Sequence, residues 1–133
     1  MAWDSPDFKC PGLTAAADLS TKQFYCVRKN ATAKEVALCS TEGETVFGVL
    51  YNKPTSGEAA EVVLSGVAKV LVGTALTSGD FWGTDSAGKA IPISVGQTGQ
   101  DIGQYAAGQV IVGAAAGEYA TVTIGNGFRV PNV

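Results

Sequence analysis

Thiol and imidazole side chains, which serve as nucleophiles and as metal ligands, are scarce in this chain, which has three cysteines and no histidine. Without an imidazole, no Ser-His-Asp or Cys-His arrangement can form, and histidine-ligated zinc or iron is excluded. Cys10, Cys26 and Cys39 are an odd number at irregular spacing, which fits neither a metal site nor a disulfide framework. We expect free thiols kept reduced in a cytoplasm, and Cys10, beside Lys9, lacks a general base.

Hydroxyl and acidic side chains form only fragments of catalytic motifs. Ser86–Lys89 matches the pattern S-x-x-K, but its glycine belongs to a predicted hairpin turn and the partner motifs are missing. Asp80 and Asp85 flank a turn without the alternating oxygen ligands and closing glutamate of a calcium loop. Glu58 and Glu118 are equivalent in an internal repeat and could face one another, although the glycine before each favours a solvated strand start. The sequence therefore predicts a protein that is not an enzyme and needs neither cofactor nor metal.

The composition argues against nucleic-acid and membrane partners. The 133 residues carry a formal net charge of −3, and among the nine scattered Lys and Arg the pair Arg28-Lys29 is the only cluster. A nucleic-acid-binding protein normally carries a basic stripe. No stretch approaches the roughly 20 apolar residues that span a membrane. The N-terminus lacks the basic and apolar regions of a signal peptide.

The second half of the chain repeats the first. Leu19–Tyr25 aligns with Leu76–Trp82 at an offset of 57, and glycine and glutamate positions further along align at an offset of 60. One β-rich unit of about fifty residues thus occurs twice, at about residues 18–66 and 75–125. A unit of this size is expected to bury its apolar face against its copy.

The expected fold class is all-β, a compact barrel or sandwich built from two similar β units, with an extended N-terminal arm. Runs of β-branched and aromatic residues separated by Gly, Pro and Asn turns predict short strands throughout residues 18–125, a single domain. Such regular turn signals are typical of barrels and sandwiches. The only helical candidate is a short turn over Thr14–Lys22, where Thr14 is a possible N-cap and three alanines follow.

Residues 1–17 and 126–133 are predicted to lie outside this domain, as an arm and a tail. Two prolines and a glycine interrupt any period in the arm. Its large apolar residues, Trp3 and Phe8, either dock on a partner or fold back onto the domain. The tail, which contains Phe128, has no period and is expected to follow the surface.

Several turn segments occur in a fairly specific order and spacing. They are Asp18–Phe24, Phe47–Pro54, Gly57–Ala60, Val62–Gly66, Ser78–Asp80, Asp85–Lys89 and Gly117–Glu118. Together they resemble the small capsid decoration, or cement, proteins of tailed bacteriophages. The resemblance covers about residues 18–125 and leaves out the arm and the tail. No catalytic residue transfers, because the family has none.

The resemblance implies a β-rich virion structural protein on the capsid exterior of a bacteriophage, made in the cytoplasm of the bacterial host. Such proteins commonly form trimers at three-fold positions and clamp neighbouring subunits of the major capsid protein. The implied partners are therefore the major capsid protein and, in a homotrimer, two further copies of this chain. Trp3 and Phe8 are the predicted capsid contacts, and Phe128 is a weaker candidate. On this hypothesis, deletion of residues 1–17 leaves the fold intact and weakens capsid binding.

An alternative function is a carbohydrate- or receptor-binding module of a phage head fibre. Exposed aromatic residues and the Gly- and Gln-rich segment 96–104 would serve that function, with Trp82 as the residue to test. For a decoration protein, Trp82 either faces a neighbouring subunit or packs in the core. A small hydrolase is the third and weakest hypothesis, because it would have to act without histidine.

Overall fold

The described part of the chain folds into eleven strands, which confirms the all-β prediction. The computed structural model describes residues 5–95 and 101–131, and these contain no helix and hence none able to cross a membrane. The strands are β1 (Ser5–Ala15), β2 (Cys26–Lys29), β3 (Glu35–Leu38), β4 (Gly48–Leu50), β5 (Ala59–Leu71), β6 (Phe81–Thr84), β7 (Ala90–Ile93), β8 (Tyr105–Ala106), β9 (Gly108–Val112), β10 (Tyr119–Ile124) and β11 (Phe128–Arg129).

The first five strands form a closed ring. The order around it is β1, β3, β2, β4 and β5, and β5 pairs back with β1. Closure gives each strand a partner on both sides, which removes the exposed edges at which sheets aggregate. A core of small and medium apolar side chains accompanies this ring: Leu13, Ala15, Leu19, Val27, Val36, Leu50, Ala60 and Val62.

A second ring begins on the same strand β5. From β5 the order continues through β10, β9, β6 and β7, and a parallel bridge between Val72 and Ala90 of β7 closes it. Since β5 is 13 residues long, its first half pairs with β4 and its second half, Gly66–Leu71, pairs with β10. Gly66 has a φ of 99°, a conformation that glycine adopts without strain, at the point where one partner gives way to the next.

The two rings have the same connectivity. Strands β1, β3, β2, β4 and the first half of β5 correspond to the second half of β5, β7, β6, β9 and β10. Individual hydrogen bonds recur as well: the N–H of Ala15 donates to the Glu58 carbonyl over 3.0 Å, and that of Val72 donates to the Glu118 carbonyl over 2.9 Å. These pairs are 57 and 60 positions apart, as the sequence repeat predicts. The prediction of two similar β units is confirmed.

The N-terminal segment differs from the separate arm that we expected. Residues Ser5–Ala15 form β1, which pairs with β5 and β3, and Leu13 and Ala15 are buried. The prolines and the glycine that suggested an arm lie near shifts in the pairing register of β1 with β5. Bulges of this kind accommodate residues that a regular ladder rejects. β1 is thus the counterpart of the second half of β5.

The short helical turn predicted over Thr14–Lys22 does not form. The N–H of Thr14 donates to the Lys34 carbonyl over 2.6 Å, and that of Ala16 donates to the Val36 carbonyl over 2.9 Å. These bonds to neighbouring segments outweigh the helix propensity of the three alanines, which is worth less than about 1 kcal/mol per residue.

Four turns share one construction: Thr41–Glu44, Thr55–Glu58, Thr77–Asp80 and Ala115–Glu118. In each, the third residue is a glycine with positive φ, and the N–H of the fourth residue donates to the carbonyl of the first. The fourth residue is acidic, and its carboxylate accepts from the N–H of the first, over 2.8 Å in Thr55–Glu58 and 3.4 Å in Ala115–Glu118. The acidic side chains therefore hold the turns that connect the strands.

A chain that starts at Asp18 is expected to lose the cooperative thermal unfolding of the full chain. Without β1 the first ring opens and its core is exposed to water. If residues 1–17 were an independent arm, their deletion would leave the fold intact. Circular dichroism during heating measures this, with a chain that starts at Ser5 as the control. An unchanged midpoint in the shorter chain would contradict the role of β1.

Replacement of Glu58 by Gln is expected to reduce stability near neutral pH but not in acid. Hydrogen bonds from Thr55 lower the pKa of Glu58 below its ordinary value of 4.5. The ionised side chain therefore stabilises the fold above that pH, and this contribution disappears as the pH falls through the folded pKa. Urea unfolding across this range should show the gap between wild type and Glu58→Gln closing in acid. The matched control Glu42→Gln changes an exposed carboxylate in another turn; a constant gap for Glu58→Gln would refute the proposed cause.

Candidate binding surface

Of the three residues predicted as capsid contacts, the structure describes the side chain of Phe128 alone. Trp3 lies outside the described residues, and Phe8 belongs to β1, where its backbone is opposite Ser65. Phe128 is part of β11, and its ring contacts that of Phe81 edge-on at a centroid distance of 5.4 Å. The C-terminal segment thus forms a small sheet of β11 with β8 and contributes to a third apolar cluster. The capsid-contact role of Trp3, Phe8 and Phe128 stays a prediction.

Trp82 packs in the core. Its side chain is 0% exposed, and its indole N–H donates to the Thr123 carbonyl over 2.9 Å. A ring without exposed surface cannot contact a neighbouring subunit or a glycan. Of the two roles that the sequence left open for Trp82 in a decoration protein, the structure therefore supports core packing.

The thiols of Cys26 and Cys39 are poor nucleophiles. Cys26 and Cys39 are free and buried. Burial raises the pKa of Cys39 to about 12, and it raises the pKa of Cys26 well above the ordinary thiol value. Because the thiolate is the reactive form, neither side chain can attack a substrate near neutral pH. Within residues 5–95 and 101–131, no cluster of Cys, Asp and Glu is arranged to hold a metal ion.

The other candidate motifs are used in turns. The carboxylate of Asp85 accepts from the N–H groups of Ala87 and Lys89 over 2.8 and 2.9 Å, so Ser86–Lys89 is a turn and not a helix. Glu58 and Glu118 each belong to a different turn and are exposed. They do not form a carboxylate pair.

The structure instead brings together aromatic and lysine side chains at the junction of the two rings. We call this the aromatic–lysine surface, and it consists of Phe24, Tyr25, Tyr51, Tyr119, Lys22, Lys53 and Lys69. Elements of both rings position it. Phe24 and Tyr25 precede β2, Tyr51 follows β4, Lys69 lies near the end of β5, and Tyr119 begins β10.

Phe24 is the centre of this surface, and its backbone is strained. Its φ is 70°, an uncommon conformation for a bulky residue. Two hydrogen bonds hold it: its N–H donates to the Leu50 carbonyl over 2.7 Å, and its carbonyl accepts from the Leu71 N–H over 2.9 Å. The ring contacts Tyr51 and Tyr119 edge-on, at centroid distances of 6.1 and 5.4 Å.

Two lysines lie against the rings. The ammonium group of Lys69 is 4.9 Å from the centre of the Phe24 ring, and that of Lys22 is 4.9 Å from the centre of the Tyr25 ring. Both distances fit cation–π interactions. Among the described residues no carboxylate lies within 4.0 Å of the ammonium groups of Lys22, Lys53 or Lys69.

A cleft of about 380 Å³ opens beside this surface. Its apolar part comes from Leu71 and the rings of Tyr25 and Tyr119, and Tyr119 is 46% exposed. Hydroxyl and amide groups and one ammonium group complete the lining, from Ser20, Thr21, Gln23 and Lys53. Such a mixture of aromatic faces and polar groups can bind a small polar ligand.

Sequence reasoning missed this surface, because its members come from segments far apart in the chain. The alternation of apolar side chains along the strands does not distinguish Tyr25, Tyr51 and Tyr119 from other strand residues. The repeat carried a usable signal: the aligned positions hold Tyr25 in one unit and Trp82 in the other. A difference in size and polarity at one position indicates different surroundings in the two rings.

Comparison with known proteins identifies a similar fold. No family model matches the chain, and no curated protein matches it either. Among solved structures, the head fibre gp8.5 N base of bacteriophage phi29 is similar, with a TM-score of 0.54 and 17% sequence identity. The similarity covers 88% of this chain and 92% of that one. At this identity the similarity shows a common fold.

Cys26 and Cys39 are expected to resist alkylation by iodoacetamide in the folded protein at mildly alkaline pH. Their raised pKa values keep both thiols protonated, and burial excludes the reagent. Peptide mass spectrometry before and after unfolding in guanidinium measures the labelling, and the unfolded chain is the positive control. Rapid labelling of either residue without denaturant would show that the core opens.

Proposed function

We propose that this chain is a structural protein of a tailed-bacteriophage head, a decoration or cement protein that binds the outside of the mature capsid. In this role it stabilises contacts between subunits of the major capsid protein, and it acts as a homotrimer. The main support is the architecture shared with the phi29 head-fibre base over almost the whole of both chains. The sequence resemblance to decoration proteins is a second, independent support.

The physical construction suits a clamp on a shell. Two closed rings share one strand, and hydrogen-bonded turns connect the strands, so the molecule is built to transmit force with little deformation. Closed rings also expose few strand edges, which suits a protein crowded at high local concentration. The affinity of each capsid contact can be low, because many copies of the protein bind to one closed particle.

The proposed capsid contacts are Trp3 and Phe8, near the start of β1. Phe128 is the weaker candidate, because its ring already packs against Phe81. Since β1 is part of the first ring, a contact through Phe8 would connect the capsid directly to that ring.

The second candidate function is a carbohydrate- or receptor-binding module of a head fibre. One observation favours it: the cleft beside Tyr25 and Tyr119 has the lining of a ligand site. Trp82, the residue that the sequence suggested for this role, is buried and cannot serve it.

The copy number of the chain relative to the major capsid protein in purified virions distinguishes these functions. Quantitative mass spectrometry should give a ratio near one to one for a decoration protein that covers the shell. A ratio far below that favours the fibre module, and absence from the virion refutes both.

Binding to heads that lack the protein tests the contact residues. We expect Trp3→Ala to weaken co-sedimentation with such heads about tenfold, as loss of a buried aromatic anchor does at other interfaces. Ile111→Ala, which removes an exposed apolar side chain from β9, is the matched control. Equal binding by Trp3→Ala and wild type would refute the assignment.

A further inference from the structure

The cleft beside the aromatic–lysine surface has features that the fold does not require. The repeat supplies an internal comparison, because Phe24 and Tyr25 align with Phe81 and Trp82 of the second ring. There, Phe81 is an ordinary residue of β6 and Trp82 is fully buried. The second ring therefore has the same strand connectivity as the first, although it lacks both the strained backbone found at Phe24 and an aromatic side chain in a cleft.

We propose that this cleft binds a saccharide that carries a carboxylate. A sugar ring presents one face of C–H groups and a rim of hydroxyl groups. The rings of Tyr25 and Tyr119 provide flat apolar surfaces for such a face. Ser20 and Thr21 provide hydroxyl groups that donate and accept hydrogen bonds at the rim.

The charge of the cleft selects an acidic sugar over a neutral one. Lys53 lines the cleft, and Lys22 lies over the Tyr25 ring. No carboxylate is among the described residues that line the cleft. Two ammonium groups beside a lining without carboxylates attract an anionic ligand, although the chain as a whole carries a net charge of −3 and the Asp18 carboxylate accepts from the Ser20 N–H nearby.

The geometry favours a saccharide over an acidic peptide. Peptides often bind by adding a strand, which needs free backbone groups at a sheet edge. At the centre of this surface the N–H and the carbonyl of Phe24 are already bonded to Leu50 and Leu71. The volume of about 380 Å³ lies within the usual range for small-molecule sites, about 300–1,000 Å³.

Strain at Phe24 has a role in this site. The positive φ directs the ring toward Tyr51 and Tyr119, and edge-on contacts with both limit their movement. A ring held in place before binding loses less entropy when the ligand arrives. Phe24 is thus a positioning residue for Tyr119.

Titration of the isolated full chain with 3′-sialyllactose and with trigalacturonate, followed by NMR, tests the proposal. Lactose is the matched neutral probe for the first acidic sugar. We expect at least one acidic sugar to shift the ring signals of Tyr25 and Tyr119, and lactose to bind about tenfold more weakly or not at all. The result does not depend on the proposed capsid role, because the titration contains no capsid.

Variants locate the site. Tyr119→Ala and Lys53→Gln are each expected to weaken binding about tenfold, as loss of a central contact does. Lys34→Gln and Ile111→Ala, at exposed positions outside the cleft, should bind as the wild type does. Lys53 is exposed, so Lys53→Gln keeps the test valid if Tyr119→Ala does not fold.

Three results would overturn the proposal. The first is the absence of binding of both acidic sugars at millimolar concentration. The second is equal affinity for lactose and 3′-sialyllactose, which would remove the role of charge. The third is binding of a poly-glutamate peptide, but of neither sugar, in a manner sensitive to Lys53→Gln; this would assign the cleft to an acidic protein segment.

Discussion

The shared strand β5 is the element on which the rest of the structure depends. Its side chains alternate so that Ala60 and Val62 enter the core of the first ring, while Ala68 and Val70 enter the core of the second. Because side chains of a strand alternate with a period of two, a slip of one residue would turn apolar groups of both rings toward water. Gly66 lies between the two pairs and allows the strand to change partners without losing that alternation.

Several acidic side chains of this protein hold turns together and are therefore not available for binding or catalysis. In each of the four equivalent turns, the carboxylate of the fourth residue binds a backbone N–H of its own turn. Burial also makes the free thiols of Cys26 and Cys39 inaccessible to a ligand. The cleft beside the aromatic–lysine surface is instead lined by hydroxyl, phenol, amide and ammonium groups, a set suited to recognition by hydrogen bonds and charge.

The sequence was sufficient for features that depend on local chemistry. Turn residues such as Gly57-Glu58 and the repeated spacing predicted strands, turns and two similar units. Features set by contacts between distant segments were not predictable in this way. β1 is a strand because β3 and β5 supply partners for it, and the cleft exists because Tyr25 and Tyr119, far apart in the chain, meet at the junction. The sequence left two roles open for Trp82, contact with a neighbouring subunit or packing in the core. Only its burial in the folded protein decides between them.

The order of the strands has a consequence for synthesis on the ribosome. The first ring needs the chain only as far as Val67, which pairs with Ser5 at the start of β1, so it can close while the C-terminal half is still being made. The second ring then forms on the emerged end of β5, and Ile124 pairs back to Gly66. Because the nascent chain can assemble ring by ring, the wide sequence separations of its paired strands need not all be bridged in one step.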